Sequence, residues 1–192
     1  MQNGFSIRNP MHGNVSHGDR IQFCIDLAGT VEHLHDKGIV NEGIKDAIVS
    51  DTGDIQLVDF GSAALVEYAT RLFTRTSSQL AFNVRFTAPE ILDETSKNYT
   101  TESDVYALGM SILHILTGKL PYAEDSNMRV LANVFRGVLP PRPAFDDTLW
   151  GQHTKDKLWG LLMRCWEHNP NLRPRATEVK QALIDIEQEL NT

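Results

Sequence analysis

Apolar residues return at helical spacing from Arg20 onward. Ile21, Cys24, Ile25, Ala28, Val31 and Leu34 fall on one face, as an amphipathic helix requires. The pattern predicts that this helix ends near Lys37-Gly38, with Gly38 as a left-handed cap. Two short apolar runs follow, Ala47-Ile48-Val49 and Ile55-Gln56-Leu57-Val58. Asp51-Thr52-Gly53-Asp54 separates them, which reads as a hairpin with Gly where a positive φ is wanted. Polar residues dominate from Glu67 to Asn83, a surface loop long enough to be a functional-loop candidate. The stretch from Asp104 to Leu116 is apolar nearly all round, the mark of a central buried helix. A shorter helix is expected from Met128 to Phe135, stopped by Gly137 and Pro140-Pro141-Arg142-Pro143. Leu158, Leu161, Leu162, Cys165 and Trp166 mark another, closed by Pro170. Val179, Ala182, Leu183, Ile186 and Leu190 mark the last, starting near Ala176 or Thr177. Residues 1 to 19 carry little periodicity. The fold class that follows is mainly α: a helical bundle around a buried central helix, with one small β-hairpin.

Composition narrows the function classes. The chain has 192 residues, 41% hydrophobic and 22% charged, enough for one domain with a sizeable core. Its formal net charge of -7 disfavours a nucleic-acid or anionic-membrane binder, which needs a basic face. Cys24 and Cys165 sit in apolar helical stretches without metal-ligand spacing, as buried free thiols do. The N-terminus lacks the basic-then-apolar pattern of a secretory signal. No apolar run reaches the length of a membrane span, so the cytoplasm or nucleus is the expected location. There is no internal repeat.

Four motifs then appear in order. Asp59-Phe60-Gly61 follows the second apolar run, and Ala88-Pro89-Glu90 follows the polar loop, bracketing a segment of 32 residues (59 to 90 inclusive). Asp104-Val105-Tyr106-Ala107-Leu108-Gly109 opens the central helix. Cys165-Trp166, Pro170 and Arg173-Pro174 close the chain's last third. Together these resemble the C-terminal lobe of a protein kinase of the tyrosine-kinase-like type. The resemblance divides the chain into a hinge remnant and irregular lead-in at 1–19 and a kinase C-lobe at 20–192, with the upper lobe missing. It makes 59 to 90 the activation segment. It implies ATP and magnesium as cofactors, with Asp59 as a magnesium ligand bridging the ATP phosphates. It also implies a buried pair between Glu90 and Arg173, and an architectural role for Asp104 in anchoring the catalytic loop.

The catalytic loop departs from the family pattern. Relatives read Ile-Val-His-Gly-Asp-Ile-Lys-Pro-x-Asn, and the Asp takes the proton of the substrate hydroxyl. Here the run is Ile39-Val40-Asn41-Glu42-Gly43-Ile44-Lys45-Asp46-Ala47. Counted forward from Ile39-Val40, Gly43 holds the base position and Lys45 the Lys position. Counted back from Asp59, Asn41 holds the base position and Asp46 the Asn position. The loop is therefore short by two residues, and neither register supplies a carboxylate base. Glu42 is out of place in both. Asp46 is a weaker candidate metal ligand, because a carboxylate can hold magnesium as well as an amide can.

Thr74, Thr76, Ser77 and Ser78 lie near Arg71 and Arg75 in the polar loop and are candidate phosphorylation sites, since added phosphate can pair with arginine. His33, His35, His114 and His168 have no metal-like grouping and read as structural or exposed. Trp150, Trp159 and Trp166 read as core or partner-facing. The functional expectation is a protein kinase-like domain, acting on or binding proteins, with phosphoryl transfer impaired in this chain. The alternatives are a pseudokinase binding module and a truncated non-functional fragment.

Overall fold

The computed structural model describes residues 17–40, 47–49, 55–57, 84–145 and 150–190. Its first helix, α1, runs His17–Asp36, three residues earlier than the apolar periodicity begins. His17, Gly18 and Asp19 are polar or small and leave no apolar signal to read. Lys37 and Gly38 leave the helix in a turn, and Gly38 has φ +69, a backbone conformation in which a Cβ would be strained. Strand β1 (Ala47–Val49) pairs antiparallel with β2 (Ile55–Leu57), with Ile48 opposite Gln56. The turn expected at Asp51 to Asp54 lies outside the described residues.

A short helix α2 spans Pro89–Leu92. The central helix α3 spans Thr101–Thr117, starting a turn before Asp104. Thr100 explains the earlier start. Its hydroxyl accepts from the Ser103 amide while the Ser103 hydroxyl accepts from the Thr100 amide, a reciprocal cap that satisfies two otherwise orphaned donors. Helix α4 spans Asn127–Phe135, capped by Ser126. Helix α5 spans Gln152–Cys165, a 3₁₀ turn covers Pro170–Leu172, and α6 spans Ala176–Leu190.

One core joins these helices. Val105, Leu108, Met110 and Ile112 of α3 are buried, as are Ile21, Cys24, Leu27 and Val31 of α1 and Leu158 and Leu162 of α5. Helix α1 lies along both α6 and α3, and α5 packs between α3 and α6. Both free cysteines are buried. Burial raises the Cys165 thiol to about 12 and pushes Cys24 up as well, so both are inert at neutral pH. Trp150 and Trp166 are buried core residues and Trp159 packs edge-on against Trp166.

Candidate functional site

The polar residues at the bottom of the site are placed by chain breaks and caps. Pro89 opens α2, where its missing amide costs nothing, and puts Glu90 in the first turn. Arg173 sits in extended backbone just after the 3₁₀ turn that Pro170 begins. The two side chains meet in a two-pronged pair. Arg173 Nη1 donates to Glu90 Oε1 at 2.6 Å and Nη2 donates to Oε2 at 2.8 Å. Both are buried. The remaining donors of Arg173 are also used: Nε reaches the Glu167 carbonyl at 2.8 Å and Nη1 the Glu102 carbonyl at 3.0 Å. Its guanidinium lies over the Tyr106 ring, 5.2 Å from the centroid. One arginine thus ties α2, the first turn of α3 and the end of α5 together with a geometry lysine cannot reproduce.

Asp104 makes the second tie. Its Oδ2 lies 3.0 Å from Nε2 of His35 at the end of α1, and the carboxylate is almost fully buried. His35 has no metal-like neighbours in sequence, and its role comes from a contact 69 positions away. That separation hides it from any local pattern.

Arg85 makes the third tie, and no sequence motif marks it. It is buried, and its Nη1 donates to the carbonyls of Pro121 and Tyr122 at 2.7 and 2.5 Å. Its Nη2 donates to the Asp125 carbonyl at 2.7 Å. Burial lowers its pKa, partly offset by the nearby Asp125 charge. Phe86, next in sequence, meets the His114 ring edge-on, with centroids 6.3 Å apart. Tyr122 sits at φ +54, and its hydroxyl donates to the Val138 carbonyl at 2.8 Å.

These ties stand at the borders of the two stretches that carry the chemistry candidates. His35 precedes Asn41, and Arg85 follows Ser78 by a few residues. Asn41, Gly43, Lys45, Asp46, Asp59, Thr74, Thr76, Ser77 and Ser78 themselves lie outside the described residues. Among the described residues no group of three or more His, Cys, Asp or Glu is arranged to hold a metal ion.

The protein kinase domain family matches residues 2–183. The chain belongs to the protein kinase family. It is 26% identical over 184 residues to the RGS domain-containing serine/threonine-protein kinase A of Dictyostelium discoideum, covering 95% of this chain and 15% of that protein. It is 29% identical over 170 residues to the serine/threonine-protein kinase STY46 of Arabidopsis thaliana, covering 87% of this chain and 27% of that protein. It is 30% identical to the serine/threonine-protein kinase PknK of Mycobacterium bovis, covering 92% of this chain and 15% of that protein. The chain therefore spans a quarter or less of most of these relatives' length. Kinases of this family use ATP and magnesium to phosphorylate protein hydroxyls. No helix among the described residues is long and apolar enough to cross a membrane.

Proposed function

We propose that this chain is a protein kinase-like domain in which phosphoryl transfer is impaired. The observation that carries the reading is the run from Ile39 to Asp46, in a chain that the family matches almost end to end. Positioning and charge neutralisation do most of the work in phosphoryl transfer, and a correctly placed base adds about 10²–10⁴-fold. Gly43 has no side chain to accept a proton, and the Asn41 amide is not basic at neutral pH. Asp59 and Asp46 would each offer magnesium the carboxylate oxygens it prefers. When bound, the metal would neutralise charge on the ATP phosphates. Affiliation with the tyrosine-kinase-like group rests on Cys165-Trp166, Pro170 and Arg173-Pro174. Action on protein hydroxyls, phosphorylation at Thr74, Thr76, Ser77 or Ser78, and residence in the cytoplasm or nucleus belong to the same reading.

A binding role is the second reading. The buried polar ties of Glu90, Asp104 and Arg85 favour it, because they keep the helical body ordered without reference to the base position. The deciding experiment is a radiolabelled phosphate-transfer assay on the 192-residue chain beside Asp59→Ala, with nucleotide binding followed by thermal shift. The expected result is no transfer above background in either protein. Transfer that disappears in Asp59→Ala overturns the proposal and makes the chain an active enzyme.

A further inference from the structure

Helix α4 carries apolar residues on two sides. Val130 and Val134 turn inward and are buried. On the outer side Met128 is 76% exposed and Phe135 44%, with Val138 just past the helix 48% exposed. Leu131 and Ala132 lie between them, half-buried. Met128, Leu131, Ala132 and Phe135 fall within one helical stripe about 100° wide. One stripe suffices to join a core, and a second, exposed one marks an interaction surface. The helix that presents it is fixed at both ends. Ser126 caps its first turn. At the other end Gly137 takes φ +68, its amide donates to the Val134 carbonyl at 3.0 Å, and the Val138 amide donates to the Asn133 carbonyl at 2.9 Å. These are both bonds of a Schellman turn. A surface that is already ordered loses less on binding than one that must be assembled.

The stripe is its own complement. If a second copy of α4 runs antiparallel about a two-fold axis midway between Leu131 and Ala132, Met128 faces Phe135 of that copy. Leu131 then faces Ala132, large against small. Charge obeys the same symmetry. Asp125 is held by Arg129 at 3.3 Å and by Asn133 at 3.0 Å. Glu124, ahead of the helix, and Arg136, directly after it, are exposed. Antiparallel packing sets Glu124 of one copy at the same end as Arg136 of the other, whereas a parallel pair would set like charges together. The charges from 124 to 138 are Glu124, Asp125, Arg129 and Arg136, which cancel. Two copies can therefore meet here without the repulsion that a net charge of -7 imposes elsewhere. A two-fold interface asks that one patch fit itself, and this one does in shape and in sign.

We propose that this chain forms a two-fold dimer through the outer face of α4, with Met128 of each copy packed on Phe135 of the other. The inference uses no residue of 41–46 or 59, so it stands whether or not the chain transfers phosphate. One short helix covers less area than a standard interface, so the dimer should be weak and exchange rapidly. Sedimentation equilibrium on the full chain would run from about 5 to about 500 µM, the range so small an interface calls for. It should show a monomer–dimer equilibrium that stops at two copies. Met128→Asp sets a carboxylate against Phe135 and should weaken the dimer about tenfold or more. Its circular dichroism spectrum should not change, because the side chain is exposed. Glu124→Arg and Arg136→Glu should each weaken the dimer about twofold to fivefold, the range of an exposed ion pair. Combining the two exchanges should restore wild-type association, since opposite charges then meet again at each end. A chain that stays monomeric throughout overturns the proposal, whether another segment of the chain or a different protein covers the stripe. Assembly that continues past two copies overturns it too. So does a Met128→Asp variant that dimerises like wild type, or a double exchange that stays as weak as the single ones.

Discussion

Glu90 and Arg173 are each closed off from water, so neither can be removed without stranding the other. Breaking a buried ion pair from one side costs about 3–5 kcal/mol, whereas replacing both partners together can be nearly neutral. Arg173→Ala should therefore lower the unfolding free energy by about 3–5 kcal/mol, and Arg173→Lys should recover only part of it, since one ammonium cannot serve Glu90, Glu102 and Glu167 at once. Urea denaturation of the two variants tests this, and equal stability for wild type and Arg173→Ala would refute it. Gly109 is constrained by a different force. A Cβ there would lie 2.7 Å from Cβ of Cys165 and 2.8 Å from Nε1 of Trp166, closer than side chains approach. Gly109→Ala should cost about 1–3 kcal/mol by overpacking, and a paired Trp166→Phe change should not relieve the Cys165 contact. Among these residues, Glu90, Arg173 and Gly109 were legible because each belongs to a short motif. Arg85 and His35 were not, because what makes them important is a partner 36 or more positions away and nothing in their own neighbourhood.

At the level of elements, apolar periodicity located the long helices among the described residues, but it missed the first six residues of α5, Gln152 to Lys157, which carry no apolar signal. It could not find α3's true start, which depends on the hydroxyls of Thr100 and Ser103 and not on apolar spacing, nor the polar first turn of α1. The seam between α1 and α6 shows what periodicity leaves out. Apolar residues fill it, but Lys180 Nζ also reaches Glu32 Oε2 at 2.7 Å across it, while the Lys180 stem lies 3.5 Å from where a Cβ on Gly29 would sit. The Lys180 hydrogen bond holds the Glu32 carboxyl below the ordinary glutamate value of 4.5. A carboxyl with a depressed folded pKa contributes stability above its unfolded pKa and loses it as pH falls through the folded one. The wild-type chain should thus lose melting temperature as pH drops below about 4.5, and Glu32→Gln should show a shallower decline over the same range. The pair is partly exposed, so the effect should be small and should shrink further in high salt. Parallel pH profiles for the two proteins would remove Glu32 from the account.

Across the whole molecule, α6 closes a core that α1, α3 and α5 cannot close alone. Helix α1 lies along it, α5 packs on it, and Val179, Leu183 and Ile186 are buried among their side chains. Burying side chains of this size contributes about 1.5–3 kcal/mol each, so these three supply about 5–9 kcal/mol before the surfaces they cover on α1 and α5 are counted. A domain's entire stability is about 5–15 kcal/mol. Deleting residues 176–192 should therefore abolish the cooperative transition, not merely shift it. Helix α1 would then lose its cover on the side of Gly29 and Glu32, where Lys180 of α6 lies. Calorimetry should show a single endotherm for the full chain and none for the truncated one, and the truncated chain should bind a hydrophobic dye that the full chain excludes. Persistence of a sharp transition after the deletion would mean that α1, α3 and α5 form a self-sufficient core and that α6 is an accessory to it.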